Sequence, residues 1–388
     1  MFYLGIDIGK NTHVASLVDD KKNVIFKAFS FSNSIDGAES LILKLEAFKN
    51  ELEVGMEATG HYWLSLYSFL REKNFTVRVI NPIQTDGWRS GIEIRKRKTD
   101  IIDSLLIADL LRYGDFVETS LSNEDYLSLR NLSRFRSYLI SSIGDLKRKT
   151  IALLDQVFPE YASSFSNIFG KTSKEILSNF STPSDFEDIN SDDLNIFLKS
   201  VTRKNYASKK IDELYKKASS SFGINFCLDS FSLQIMLIEQ ISFIQNQVSD
   251  VENEIEVLLK KLNSPITTIP GIGSVNAATI LGEIGDIKRF SNPSKLVAYA
   301  GLDASVSQSG EYESTYNHMS KRGSPYLRRA LFQSALRAEF CDPVFSAYYQ
   351  KKITEGKHHL VATNAVARKL CHTIFSVLTK NEPYQVQN

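Results

Sequence analysis

The chain has 388 residues, 43% of them hydrophobic and 23% charged, enough for two or three cores in domains of about 100–200 residues each. Lys and Arg number 46 against 45 Asp and Glu, a net charge of +1. That excludes a uniformly basic, histone-like protein and an acidic tail protein, so any nucleic-acid footprint must be local. Cys227, Cys341 and Cys371 lie far apart with no C-x-x-C pair, which argues against a disulfide scaffold and a structural zinc site. No apolar run approaches the ~18–20 residues of a membrane span, and the chain opens on a strand pattern rather than a signal peptide. The expected setting is cytoplasmic, with no membrane partner.

In chain order, Phe2 to Ile8 is a short apolar run ending in a carboxylate and Gly9. Val14 to Val18 and Val24 to Phe29, with a charged turn between them, read as a hairpin. Residues 35–49 carry apolar positions at helical spacing, Leu52 to Glu57 a strand, 62–73 a helix, and Thr76 to Ile80 a strand stopped by Asn81-Pro82. A hairpin followed by strand–helix units predicts one mixed α/β sheet covered by helices. Thr99 caps a helix running to about Arg112, and 124–158 form a longer one with Leu132, Leu139, Leu146 and Leu153 seven apart. Residues 160–230 are Ser- and Phe-rich and read as helical, with no chemistry assigned. Leu237, Ile244, Val251 and Leu258 alternate with Ile241, Val248, Ile255 and Leu262 in a and d spacing, which favours a coiled-coil seam between copies of the chain over an amphipathic helix buried in its own domain. The last 115 or so residues read as mostly helical and are basic. Three domains are expected: 1–118, a helical linker region 119–263, and 264–388.

Asp7 and Glu57 end strands that would be close in such a sheet, and Asp100 with Asp103 share one face of a helix start. Four carboxylates at one sheet edge repel one another unless cations occupy the gap, an arrangement suited to Mg²⁺ or Mn²⁺ and phosphodiester chemistry. Each acid alone could equally be a turn residue, a strand end or a first-turn acid favoured by the helix dipole. Pro270-Gly271-Ile272-Gly273 reads as a helix-hairpin-helix whose glycines Gly271 and Gly273 admit a phosphate to backbone N–H groups, or else as a tight helix–helix turn. Gln308-Ser309-Gly310 places a serine upstream of a cationic helix with Lys321, Arg322, Arg328 and Arg329. Ser309 could attack a phosphate whose charge those residues offset. The run Arg95-Lys96-Arg97-Lys98 directly before Asp100 reads as phosphate contact or as a solvated face.

GIDIGK, GMEATG, KRKTDIIDS, PGIG, QSG and SKRGSPYLRRAL, in this order, resemble the transposases of the insertion-sequence-110 family and the related pilin-gene invertases. The resemblance covers about residues 1–155 and 265–375. It implies a RuvC-like, ribonuclease-H-type first domain with a DEDD set at Asp7, Glu57, Asp100 and Asp103. It also implies a second domain whose serine, matched by Ser309, joins covalently to DNA, with Ser305 and Ser307 as neighbouring serines. A bridge RNA encoded by the element, double-stranded DNA of the element ends and target, and a homo-oligomer from dimer to tetramer are the implied partners. Two other readings share the topology. An actin-like or sugar-kinase ATPase would need a second phosphate hairpin, which the sequence lacks. A Holliday-junction resolvase would use the carboxylates without the serine domain. A non-catalytic nucleic-acid scaffold would leave the four acids without a purpose.

Overall fold

A computed structural model of the protein describes every residue except 59, 93–98, 115, 117–123, 188, 202–207, 227–228, 230, 232–234, 305–307, 310–311, 314–317 and 387–388. The chain divides into two compact units, Met1–Leu121 and Ser122–Asn388.

In the first unit the apolar runs form a five-stranded mixed sheet in the order β3-β2-β1-β4-β5. The strands are β1 (Phe2–Asp7), β2 (Thr12–Asp19), β3 (Val24–Ser32), β4 (Leu52–Glu57) and β5 (Thr76–Ile80). The first three make an antiparallel meander, and β4 and β5 add parallel to β1 through helical crossovers. Alternation then sorts the two faces. Leu4, Ile6, Val54 and Met56 enter a core with Leu41 and Leu45 of α1 (Ile35–Leu45) and Leu66 and Leu70 of α2 (Trp63–Glu72). The opposite face, carrying Gly5 and Gly55, receives α4 (Asp100–Tyr113), which follows α3 (Pro82–Ile92). A Cβ on Gly5 would stand 2.0 Å from the Ser104 carbonyl oxygen and 2.4 Å from the Ala108 nitrogen, so only glycine permits this approach. Lys22, in the β2–β3 turn, reaches Asp109 at 2.9 Å near the far end of α4. The helix therefore runs antiparallel to β1, and its first turn lies at the C-terminal ends of β1 and β4.

The second unit is built on a helical hairpin. α5 (Glu124–Val157) and α9 (Leu237–Leu262) run antiparallel, since Asp125 pairs with Lys261 and Arg136 with Glu252. Between them, α6 (Lys171–Asn179), α7 (Ser191–Val201) and α8 (Ser208–Ser219) surround an aromatic core of Phe158, Tyr161 and Phe186, to which the hairpin adds Leu154 and Ile238. The Ser-rich stretch is thus helical and has its own core. α10 (Ser274–Ile284), α11 (Pro293–Tyr299), α12 (Pro325–Cys341), α13 (Pro343–Thr354) and α14 (His359–Lys380) complete the unit. Among the described residues no helix is long and apolar enough to cross a membrane.

Two expectations change with this packing. Ile241, Val248, Val251 and Ile255 are buried in a core shared with Leu139 and Ile143 of α5 and Ile280 and Leu281 of α10. The heptad seam expected between copies is filled inside one chain, because an a/d pattern fixes an apolar stripe and not the helix that covers it. The same core draws on residues either side of 263, so the boundary between 119–263 and 264–388 cuts through one packed body. A 3₁₀ turn (Pro265–Thr268) precedes Pro270–Gly273, and α10 follows it. Gly271 has φ +89°, and a Cβ there would lie 2.5 Å from the Ser334 oxygen. Its bareness serves the close approach of α12. Gly273, by contrast, has nothing within 4 Å of its missing Cβ at the start of α10.

Candidate active site

Gly5 pairs with Gly55 across the parallel strands, and Ile6 with Met56. The next residues along, Asp7 and Glu57, therefore end neighbouring strands on the face that α4 covers. Thr99 caps α4 by accepting a hydrogen bond from the Ile102 amide at 3.3 Å, which starts the helix at Asp100 and puts Asp103 one turn in. Asp100 is exposed and Asp103 buried. The topology thus brings all four predicted carboxylates to one sheet edge. It does not draw them into a closed cage: among the described residues no group of three or more His, Cys, Asp or Glu stands ready to hold a metal ion.

Two side chains not expected from the sequence hold two of these acids. Thr85 Oγ1 lies 2.7 Å from Glu57 Oε2 and donates to it, with the Pro82 carbonyl 2.9 Å away as a second acceptor. Arg89, one turn further along α3, donates from Nη2 to Asp103 Oδ1 at 2.7 Å and from Nη1 to Asp86 Oδ1 at 3.0 Å. Thr85 and Arg89 stand four apart on a helix that begins where β5, the parallel neighbour of β4, ends. That spacing was the available signal. The donor set itself, four hard carboxylates, fits Mg²⁺ or Mn²⁺, with Arg89 already seated on one of them.

Away from this edge, Asp109 shows how the same helix is locked at its other end. Burial pushes its carboxyl up, but hydrogen bonds and charge from Lys22 and Arg112 outweigh this and hold it below the ordinary range. On β2, His13 is buried edge-on to Phe31, ring centroids 5.2 Å apart. Burial lowers its imidazole pKa, and the neighbouring Asn33 only partly opposes the shift.

The predicted serine belongs to the second unit. Gln308–Ser309 pairs antiparallel with Tyr312–Glu313, Ser309 opposite Tyr312. Below this short ladder the two chain segments are zipped together. Ser320 N donates to the Asp303 carbonyl at 2.9 Å, Lys321 N to Gly301 at 3.2 Å, and Ser324 N to Tyr299 at 3.3 Å. Ser305 and Ser307 lie outside the described residues, as does the whole run Arg95 to Lys98. Lys321, Arg322 and Arg329 are exposed. Arg328 is half-buried and donates to the carbonyls of Ala300 at 3.2 Å and Gly323 at 3.4 Å. These two bonds anchor it at the foot of the serine-bearing segment.

The base of that segment is fixed by an acid that the sequence reading did not single out. Glu283, in α10, is buried and accepts two bonds from Arg134 of α5, at 2.6 and 3.0 Å, and one from Ser324 at 2.9 Å. Burial pushes the Arg134 guanidinium down, but the bonds and charge of Glu283 more than offset this and hold it above its ordinary value.

Paired strand-end acids in one unit and a serine on a hairpin in the other accompany two family matches. A transposase model of the DEDD IS110 type matches residues 4–159, and the transposase IS116/IS110/IS902 family model matches 263–350. The chain belongs to the IS110 family of transposases. Relatives of this family align along nearly its whole length. The pilin gene-inverting protein of Moraxella bovis is 26% identical over 98% of this chain and 97% of its own. An insertion element IS116 protein of Streptomyces clavuligerus is 26% identical over 97% and 94%. An insertion element IS900 protein of Mycobacterium paratuberculosis is 23% identical over 98% and 96%. As a member of this family the protein is a DNA transposase or recombinase.

Proposed function

We propose that the protein cuts and rejoins DNA by forming a transient bond between Ser309 and the scissile phosphate, at a site that Asp7, Glu57, Asp100 and Asp103 supply with Mg²⁺ or Mn²⁺. The observation that carries this reading is that Asp7 and Glu57 follow directly on the last paired residues of adjacent parallel strands, on the face that α4 covers. The strand order supports a RuvC-like, ribonuclease-H-type body for about residues 1–118. A divalent ion held by these acids would offset negative charge on the phosphate. The Ser309 hydroxyl gives up its proton and bonds to phosphorus. The phosphorus–oxygen bond to the departing sugar breaks, and that oxygen takes up a proton. Bond energy is conserved in the adduct, so a sugar hydroxyl of another strand reverses the step without an external cofactor. Lys321, Arg322 and Arg329, all exposed, offset the charge that builds on the phosphate oxygens.

Target choice by a bridge RNA, and assembly from dimer to tetramer with carboxylates and serine drawn from different copies, complete the proposal on the strength of the family resemblance. Arg95, Lys96, Arg97 and Lys98 are assigned to nucleic-acid contact with it, and Gly273 to phosphate contact at the open start of α10.

A substrate nicked to block rejoining tests the serine step. The wild-type protein is expected to give a protein–DNA adduct that survives denaturation. Ser309→Ala and Asp7→Asn are expected to give none while still binding DNA. An adduct that persists in Ser309→Ala but vanishes in Ser305→Ala or Ser307→Ala moves the nucleophile. Absence of any adduct from the wild type removes the serine mechanism and leaves a metal nuclease that uses water.

A further inference from the structure

The carboxylate edge already contains a cation. Arg89 is buried, and its guanidinium bridges two acids of opposite character: Asp103, buried at the candidate site, and Asp86, whose side chain is 78% exposed. The two contacts use different nitrogens, Nη2 to Asp103 at 2.7 Å and Nη1 to Asp86 at 3.0 Å. A buried carboxylate without a counter-charge costs several kcal/mol, so something must neutralise Asp103 whenever no metal is present. A second cation arriving at the same oxygen meets both the occupied lone pair and the repulsion of the guanidinium.

We propose, resting on the carboxylate reading above, that Arg89 is a positioning residue that holds Asp103 in the metal-free protein and yields it to the divalent ion by shifting toward Asp86. Arg89 then sets the metal affinity of the site without touching the metal. Asp86 is the alternative seat that makes the shift possible, and its exposure means that it gains the cation at little desolvation cost. Thr85, one turn earlier, holds Glu57 by a neutral hydrogen bond and exerts no charge against a metal. Trp88, next to Arg89 in the chain, lies tilted against Tyr113 with ring centroids 4.7 Å apart, and serves as a reporter of the helix that carries Arg89. It is one of only two tryptophans in the chain.

Mn²⁺ alone, titrated by calorimetry into the full-length protein without nucleic acid, tests the proposal through two variants that should move in opposite directions. Arg89→Gln is expected to bind Mn²⁺ about tenfold more tightly, the scale on which one adjacent charge shifts a neighbouring site. Asp86→Asn is expected to bind it about threefold more weakly, since an exposed partner contributes less. Trp88 fluorescence should change on titration of the wild type and much less in Arg89→Gln. A residue that merely supports the fold would weaken binding in both variants. Equal or weaker Mn²⁺ binding by a folded Arg89→Gln overturns the proposal. If Arg89→Gln does not fold, unchanged or tighter binding by Asp86→Asn overturns it instead. Loss of all Mn²⁺ binding from the wild type is a different failure, because it removes the carboxylate site itself and Arg89's role with it.

Discussion

Asp7 and Glu57 sit at the ends of adjacent strands, fixed by a ladder on each side and by a helix that glycine brings to contact distance. Ser309 sits on a two-residue strand that reaches its unit through a backbone zipper and a clasp of Arg328, Glu283 and Arg134. The acids owe their place to the register of a sheet, where a one-residue slip would turn every side chain to the wrong face. The serine owes its place to side chains at the foot of a hairpin, which fix where the hairpin starts. Chemistry that must hold several charges at set spacing is built on the rigid element. A group that must meet a long substrate is carried on the reaching one.

The comparison breaks most sharply at Gly5. Gly5→Val places carbon where the Ser104 carbonyl and Ala108 nitrogen stand, and overpacking at this contact should cost about 3 kcal/mol. Urea unfolding followed by far-ultraviolet circular dichroism should show the loss in the first unit's transition, with the second unit's unchanged. A single transition that moves as a whole would show the two units are not independent. Next in size is Glu283→Ala, which strands Arg134 and Ser324. The expected loss is about 2–3 kcal/mol, less than for a fully buried pair because Arg134 is 36% exposed. It should fall on the second unit alone and also lower adduct yield, whereas Gln at the same position should restore part of both. The smallest effect concerns pH. His13 has its folded pKa pushed below the ordinary 6.5, so the unfolded chain takes up the proton first as pH falls. The first unit should therefore lose stability from about pH 7 downward, and His13→Gln should flatten that slope. A slope unchanged in the variant would assign it to other groups.

Much of this was readable from the amino-acid order, and the exceptions share a cause. Strand runs, the Thr99 cap and the acids at strand ends are local patterns, so Asp7, Glu57, Asp100 and Asp103 could be brought to one edge from the sequence alone. Thr85 and Arg89 offered only their spacing of four on one helix, and their partners lie 28 and 14 residues away. Glu283 looked like an ordinary acid in a small-residue helix, and only the arrival of Arg134, 149 residues earlier, makes it a clasp. The heptads of α9 announced a buried stripe correctly. They said nothing about whether the covering helix came from the same chain, and α5 covers it. The close approach of α12 at Gly271 was likewise invisible, because Ser334 lies 63 residues on.

The hairpin of α5 and α9 has one further consequence, for length variation. The 26 residues of α9 span roughly 39 Å at about 1.5 Å each. The Phe158–Phe186 core sits where α5 ends and α9 begins, and the Glu283 clasp grips the opposite part of α5. The pair therefore acts as a spar with a separate load at its end. Because the helices run antiparallel, trimming seven residues from α5 alone between Asp125 and Arg136 would throw the charge pairs Asp125–Lys261 and Arg136–Glu252 out of step. Trimming seven from each keeps both in phase, shortens the reach by about 10 Å and leaves each load intact. Natural length changes in this region should accordingly come in matched pairs, one in each helix.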